Sequence, residues 1–475
     1  MPLVAGVDSS TSACKVEVRD ADSGQLVATG CAPHPATTPP CSEQHPQDWW
    51  AAFEAACAGA GVLGRNRPTA IAVAGQQHGL VVLGASGTVL RPAKLWNDTE
   101  SADDAEALVA ALGARAWATA CGSVPVASFT ITKLHWLRRR EPEVFGRIAR
   151  ILLPHDWLTS QLTGAATTDR GDASGTGWWS AREERYRHDL LALVDDTVDW
   201  DDLLPDVLAP AQAAGEWEGM VVGPGTGDNM AASLGLGLRP GDLALSLGTS
   251  GTAFCVSDRP TSDETGTVAG FADATGRHLP LVCTLNATKV TDAVARLLGV
   301  DGAGLAELAL AAEAGAGGLV LVPHLDGERT PNRPGATGTL TGIRSDVSRE
   351  DLARAAVEGV VCNLLAGADE LARWAPRASG GRTVLIGGGA RSAAYRRVVA
   401  DLTGRPLVVP ETGEPVARGA ALQAAAVLSD APFDVIADAW GIGPASIVEP
   451  DPSADGAAVH AAYATALQEV GSHDH

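Results

Sequence analysis

Apolar residues along this chain come in short runs whose spacing changes from segment to segment. "LVAGVD" (3–8), "CKVEVRD" (14–20) and "QLVATG" (25–30) are separated by the polar turns "SSTSA" and "ADSG". Brief runs punctuated in this way predict three antiparallel strands. Residues 46–60, "PQDWWAAFEAACAGA", place apolar side chains near helical spacing behind Pro46, which predicts a helix. "TAIAVAG" (69–75) is a continuous apolar run, short enough for a buried strand ending at Gly75.

The opening pattern then returns about 240 residues later, which reads as a duplicated architecture. "DLALSLGTSGTAFCVSD" is again an apolar strand, a Ser/Thr/Gly turn and a second strand. The repeat divides the chain into two expected domains, 1–238 and 239–475. In the second, Leu352, Ala356, Val360, Leu364, Ala368 and Leu371 share one face of a helix within 349–374, and "TVLIGGGARS" is a strand running into a glycine turn. Strands and helices mixed in both halves give an α/β fold class.

Length agrees with two domains, because 475 residues exceed what one hydrophobic core usually spans. A net charge of −22, spread along the chain, repels phosphate backbones and argues against a nucleic-acid partner. A nucleotide would have to be held locally, by backbone amides, a metal ion or single cations. "MPLVAGVDSS" lacks a basic start and a long apolar core, and no run of about 18 apolar residues suggests a membrane span. A cytoplasmic protein with no membrane partner is expected. The eight isolated cysteines, without any CxxC, are expected to be reduced.

Several positions carry candidate chemistry. A Ser/Thr/Gly turn after a strand can aim amides and hydroxyls at one point, as phosphate oxygens require; it can equally be a plain hairpin. Asp8 ends the first strand beside such a turn, where a carboxylate near phosphate calls for a bridging Mg2+ or else merely starts the turn. Lys15 is a local cation or a solvated strand residue. "LIGGGARS" lets a flat or anionic group approach the main chain, but it is neither GxGxxG nor a P-loop. Gln77 and His78 in "AGQQHGL" follow a strand's C-terminal end, a common place for ligand contacts in α/β sheets. "WND" (96–98) suits a sugar face, or a buried Trp beside a helix cap. In "GPGTGDNMAASLG" (223–235), Asp228 occupies a helix N-cap position, and an acid kept ionised there can also accept a proton.

Read together, these residues resemble the FGGY carbohydrate kinases. "VDSSTSACK", "GQQHGL", "LWND", "SFTITKLHWL", "TGDNMAASLGLG", "LSLGTSGT", "PHLDGERTP", "GTLTGIRSDVSREDLARAAVEG" and "LIGGGARS" occur in family order nearly end to end. "GERTP" and "WND" make the likeness strongest to the xylulokinases within that family. The resemblance implies a two-domain actin-like ATPase fold of ribonuclease-H-like domains, with ATP and a small-molecule sugar meeting in an inter-domain cleft. It implies that Thr11, Gly248, Thr249 and Ser250 hold phosphates, that Asp8 holds Mg2+, and that Gly388, Gly389 and Ala390 border the adenosine. Gln77, His78, Asp228 and Asn229 fall where the family contacts its sugar, with Asp228 as general base. The implied reaction is ATP-dependent phosphorylation of D-xylulose to D-xylulose 5-phosphate. Another ketose or polyol (ribulose, glycerol, gluconate), or a non-catalytic sugar-sensing or actin-like ATPase protein, is the alternative, and the resemblance leaves room for a homodimer. Two departures stand out: Ser10 where the first loop usually has glycine, and Gln77 where methionine is common.

Overall fold

Leu3–Ser9, Ala13–Asp20 and Leu26–Pro33 form the expected antiparallel meander, and Ala70–Gly75 adds to its other side in parallel with the first strand. The computed structural model describes residues 2–376, 381–410, 414–443 and 446–471. In order across the sheet run Gly215–Trp217, Met220–Val222, Ala70–Gly75, Leu3–Ser9, Ala13–Asp20 and Leu26–Pro33, with the short strand Thr226–Gly227 also paired to Ala70–Gly75.

Side chains alternate across a strand, so each face of this sheet has its own partner. Ala5 and Val7, with Ile71 and Val73, face a core that includes Trp49, Phe53 and Ala56 of the helix Pro46–Ala60. Pro46 stands at the start of that helix, as its sequence predicts. The opposite face is lined by small residues, and the helix Pro415–Ser429 lies close on it. A Cβ on Gly6 would sit 1.9 Å from the Ala417 carbonyl oxygen. Pro415–Ser429 also crosses the helix Asp228–Gly235 through two glycines: a Cβ on Gly419 would fall 1.8 Å from Ala231 O, and one on Gly235 1.9 Å from Pro415 O. The helix that begins at Asp228 is therefore fixed by backbone-to-backbone packing.

By its contacts the chain forms two units. The first is Met1–Leu238 with Asp258–Leu279 and Glu414–Gly443; the second is Arg239–Ser257, Pro280–Gly413 and Pro444–His475. Two segments late in the sequence thus fold with the first unit, because Pro415–Ser429 supplies the cover for its small-residue face.

The second unit repeats the central pattern of the first. Leu243–Leu247 pairs antiparallel with Gly251–Phe254 and parallel with Thr383–Ile386, beyond which lie Leu407–Val409 and Ser446–Val448. Arg349–Leu371 forms the long expected helix, capped by Ser348 and Asp351. No single described helix is long and apolar enough to cross a membrane.

Candidate active site

The first strand delivers Asp8 to the small-residue face, two positions beyond Gly6. Its carboxyl is buried, accepts a hydrogen bond from the Ser10 hydroxyl, and lies 3.9 Å from Lys15 Nζ. Lys15 stands directly opposite Asp8 in the ladder and reaches on to Glu414 at 2.5 Å, so it is a local cation. Burial raises the Asp8 pKa to about 6, against the opposing pull of Ser10 and Lys15. Ser10, the departure from glycine, thus bonds the acid that precedes it.

The turn after Asp8 is braced by His34 and Gln44, which local sequence pattern does not single out, and by Gln76 and Trp96 of the motifs "AGQQHGL" and "WND". Gln44 Nε2 donates to Thr11 O at 3.0 Å, His34 Nδ1 lies 2.8 Å from Ser10 O, and Trp96 Nε1 donates to Thr11 Oγ1 at 2.8 Å. Gln76 N donates to Ser9 O at 3.1 Å, and its side-chain Oε1 accepts from Thr11 Oγ1 at 3.3 Å.

Asp228 is the first residue of its helix, and the cap is Gly227, which corrects the N-cap expectation. As the first helical residue, Asp228 accepts through Oδ1 from Asn229 N at 2.8 Å and Asn229 Nδ2 at 3.0 Å. Protein crowds the carboxyl while leaving the residue partly accessible. Burial, and next the charge of Asp8, raise its pKa to about 7. A carboxyl poised there is suited to exchanging a proton near neutral pH.

Gln77, His78 and Asn229 gather at the same place. Asn229 Nδ2 also donates to Gln77 Oε1 at 2.8 Å, while Gln77 Nε2 is buried without a hydrogen-bond partner. That orphaned donor is satisfied if a ligand oxygen binds beside it. His78 adopts φ 65°, sets Nδ1 2.8 Å from Gly175 O, and stacks 5.1 Å from Phe129 with Phe271 at 5.5 Å. Gly175 is required here: a Cβ would meet the His78 ring at 2.6 Å.

In the second unit, the turn 248–250 offers backbone and hydroxyls with no charged group. Its carbonyls are occupied, Gly248 O by Thr288 N at 2.9 Å and Thr249 O by Ala287 N at 3.1 Å, while Thr249 is exposed and Gly248 and Ser250 are half-buried. The glycine run after Thr383–Ile386 serves two ends. Gly387 (φ 85°) and Gly389 pack against Leu247, leaving no space for a side chain; Gly387 and Gly388 are exposed, Gly389 and Ala390 buried.

Two motifs singled out for the sugar are occupied internally. Asp98 is sealed, accepting from Ser42 N at 2.9 Å and Lys94 Nζ at 3.1 Å; Lys94, itself fully buried, also meets Glu43, Glu100 and the face of Trp136. The carboxylate of Glu328, in "GERTP", accepts from Leu285 N, Arg329 N, Asn286 Nδ2 and Asn363 Nδ2. Both acids organise loops through their neighbours.

The N-terminal domain model of the FGGY family of carbohydrate kinases matches residues 3–235, and the C-terminal domain model matches 243–428. A xylulose kinase of Streptomyces coelicolor is 47% identical over 458 residues, covering 94% of this chain and 92% of that protein; one of Streptomyces rubiginosus is 46% identical over 459 residues, with 94% and 92% covered. The crystal structure of xylulose kinase from Bifidobacterium adolescentis superimposes with TM-score 0.88 at 42% identity, over 98% of this chain and 99% of that one. The paired strand–turn–strand units are the actin-like ATPase fold of those kinases. With both halves matched and identity this high across nearly its whole length, the chain belongs to the FGGY family of carbohydrate kinases.

Proposed function

We propose that this chain transfers the γ-phosphoryl group of ATP to the terminal hydroxyl of D-xylulose, giving D-xylulose 5-phosphate and ADP. The observation that carries the assignment is Asp228: a carboxyl with pKa about 7, on a rigidly packed helix start, bonded to Asn229 and through it to Gln77. Gln77, His78 and Asn229 orient the sugar, and the buried Gln77 Nε2 supplies a donor for one of its oxygens. The sugar oxygen bonds to the γ-phosphorus, the bond from that phosphorus to the bridging oxygen of ADP breaks, and the hydroxyl proton passes to Asp228. Thr11, Thr249 and Ser250 hold phosphate oxygens through amides and hydroxyls, the latter two in a turn that Gly248 closes by donating its N–H to Ser250 O at 2.9 Å while letting the phosphate approach its backbone, and Gly388, Gly389 and Ala390 border the adenosine. Residues 1–238 hold the sugar site, the first phosphate loop and Asp228, and 239–475 hold the second phosphate loop and the adenosine site.

Mg2+ fits beside Asp8, a buried carboxyl with a raised pKa next to a hydroxyl, an oxygen donor set of the kind that ion takes. When bound it offsets phosphate charge. We place the enzyme in the cytoplasm, where ATP is available and cysteines outside any disulfide stay reduced.

A coupled assay over D-xylulose, D-ribulose, glycerol and gluconate tests the assignment. The expected result is a kcat/KM for D-xylulose at least tenfold above the others, as loss of one site-specific hydrogen bond to a hydroxyl implies. Preference for another member of the panel overturns the sugar. ATP hydrolysis at one rate with or without any sugar overturns the kinase.

A further inference from the structure

One buried group in the first unit is used by no step above. His155, the second residue of the helix Pro154–Thr163, is fully buried, and its Nε2 lies 3.1 Å from Asp156 Oδ1, 3.4 Å from Asp169 Oδ1 and 3.4 Å from Asp172 Oδ2. Among the described residues, no Lys or Arg pairs with any of these three acids. Three carboxyls closing on one imidazole in a dry interior are costly unless the arrangement holds something in place.

What it holds is the turn before Asp228. The His155 ring lies against Gly225, where a Cβ would stand 2.7 Å from Nδ1, and the start of its side chain against Gly75, where a Cβ would meet His155 Cβ at 3.0 Å. Asp169 caps the short helix Arg170–Ala173 through Gly171 N and Asp172 N, and the same carboxylate accepts from Thr226 Oγ1 at 2.7 Å. Thr226 and Gly227 pair with Ala74 and Gly75, and Asp228 comes next. The path from imidazole to proposed base is therefore His155, Asp169, Thr226, Gly227, Asp228, with no flexible side chain exposed along it.

We propose that His155 is a positioning residue for phosphoryl transfer: gathered with Asp156, Asp169 and Asp172, it locks the 225–227 turn in the conformation that presents Asp228 to the sugar hydroxyl. Charge supports the geometry. Burial pushes the His155 pKa down, but Asp156, Asp169 and Asp172 reverse this and raise it to about 9, while burial raises Asp156 and Asp172 in turn. The other groups facing the cluster are Asp228, which adds to the upward push that burial exerts on Asp172, and the Tyr186 phenol near Asp156. The cluster thus shares its protons between the imidazole and the carboxyls that surround it. The proposal rests on Asp228 being the base.

The test measures steady-state kinetics of His155→Gln, Thr226→Val, Thr226→Ser and Asp228→Asn in the full chain, with folding checked by circular dichroism and melting. Misplacing a catalytic group by about 1 Å costs up to 10^2-fold in rate, so His155→Gln and Thr226→Val are expected to lose roughly 10- to 100-fold in kcat while KM for sugar stays within about twofold. Thr226→Ser, which keeps the hydroxyl for Asp169, is expected to retain near wild-type kcat. If His155→Gln does not fold, the Thr226 pair decides alone. Folded His155 and Thr226→Val variants with wild-type kcat, or losses confined to KM, overturn the positioning role, and an inactive Asp228→Asn beside them leaves the base assignment standing. A fully active Asp228→Asn overturns both.

Discussion

The two units share one strand pattern and differ in what they place at its ends. In each, a central strand runs antiparallel to the strand after its turn and parallel to a third: Leu3–Ser9 with Ala13–Asp20 and Ala70–Gly75, and Leu243–Leu247 with Gly251–Phe254 and Thr383–Ile386. At the ends of the first set stand Asp8, Ser10, Lys15, Gln76, Gln77 and His78; at the ends of the second stand Gly248, Thr249, Ser250 and Gly387, Gly388, Gly389. The turns differ in length as well. Four residues, 10–13, separate the last pair Ser9 and Cys14, but three, 248–250, separate Leu247 and Gly251. One scaffold thus supports two kinds of chemistry, titratable side chains in the first unit and uncharged amides and hydroxyls in the second, and rate and pH dependence should reside in the first alone.

The largest expected effect is at Asp228. Removing a general base costs roughly 10^2- to 10^4-fold, so Asp228→Asn is expected to lose that much kcat while still binding sugar, measured by turnover and by calorimetric titration with D-xylulose. Retained turnover breaks the comparison at its strongest point. The same substitution should stabilise the protein at pH 8. A carboxyl raised from 3.8 to about 7 binds its proton more tightly when folded, so its contribution is complete below the unfolded value and is lost as pH climbs through about 7. Asparagine has no proton to lose, and the variant should melt above the wild type at pH 8 and with it at pH 4.

Next is the pH profile itself. With Asp228 required ionised and its pKa near 7, kcat/KM should rise with pH up to about 7 and fall close to tenfold per unit below it. Ser250→Ala, in the uncharged turn, should change the KM for ATP and leave that acid limb where it is. A shifted limb in Ser250→Ala would mean that the second unit also sets protonation.

How much of this was legible follows from the range of the interactions involved. Strands and turns at 3–33 and 243–254, and the helices at 46–60 and 349–371, were readable because their period and punctuation are local. Asp228 was readable as a special acid, but its cap position was misplaced by one residue, since Gly227 supplies the cap backbone without a side chain to mark it. Gln44 and His155 were not legible. Each acts on residues far along the chain, Gln44 on Thr11 and His155 on Asp169 and Asp172, and a single sequence carries no record of such pairings. The return of Pro415–Ser429 to the first sheet is hidden for the same reason, although Gly6, Ala72 and Ala74 advertise a face made for close approach. "GERTP" and "WND" illustrate the converse: they helped place the family, and their acids turn out to be structural.

A smaller effect is expected at Gly387. Alanine there meets both a positive φ of 85° and a Cβ 2.6 Å from Leu247 O, and strain or overpacking of this kind costs about 1–3 kcal/mol. Urea unfolding of Gly387→Ala should register that loss, and KM for ATP should rise while the acid limb stays in place. Unchanged stability would mean that the glycine serves ligand approach instead of packing against Leu247.

The smallest effect, at Ser10, asks whether the first turn can be made to resemble the second. Its hydroxyl bonds to Asp8, and that bond is one of the forces opposing the rise in the Asp8 pKa. Ser10→Gly removes the bond and frees the backbone, restoring the residue usual in this family's first loop. A single hydrogen bond contributes about 0.5–1.5 kcal/mol, which corresponds to roughly a 2- to 12-fold loss in kcat/KM for ATP if the hydroxyl's value lies in holding the carboxyl. If its side chain instead keeps phosphate at a distance, the glycine variant should bind ATP more tightly, and KM would fall. Steady-state kinetics with varied ATP separate the two, and a fall in KM would mean that close backbone approach, the device of the second turn, governs the first as well.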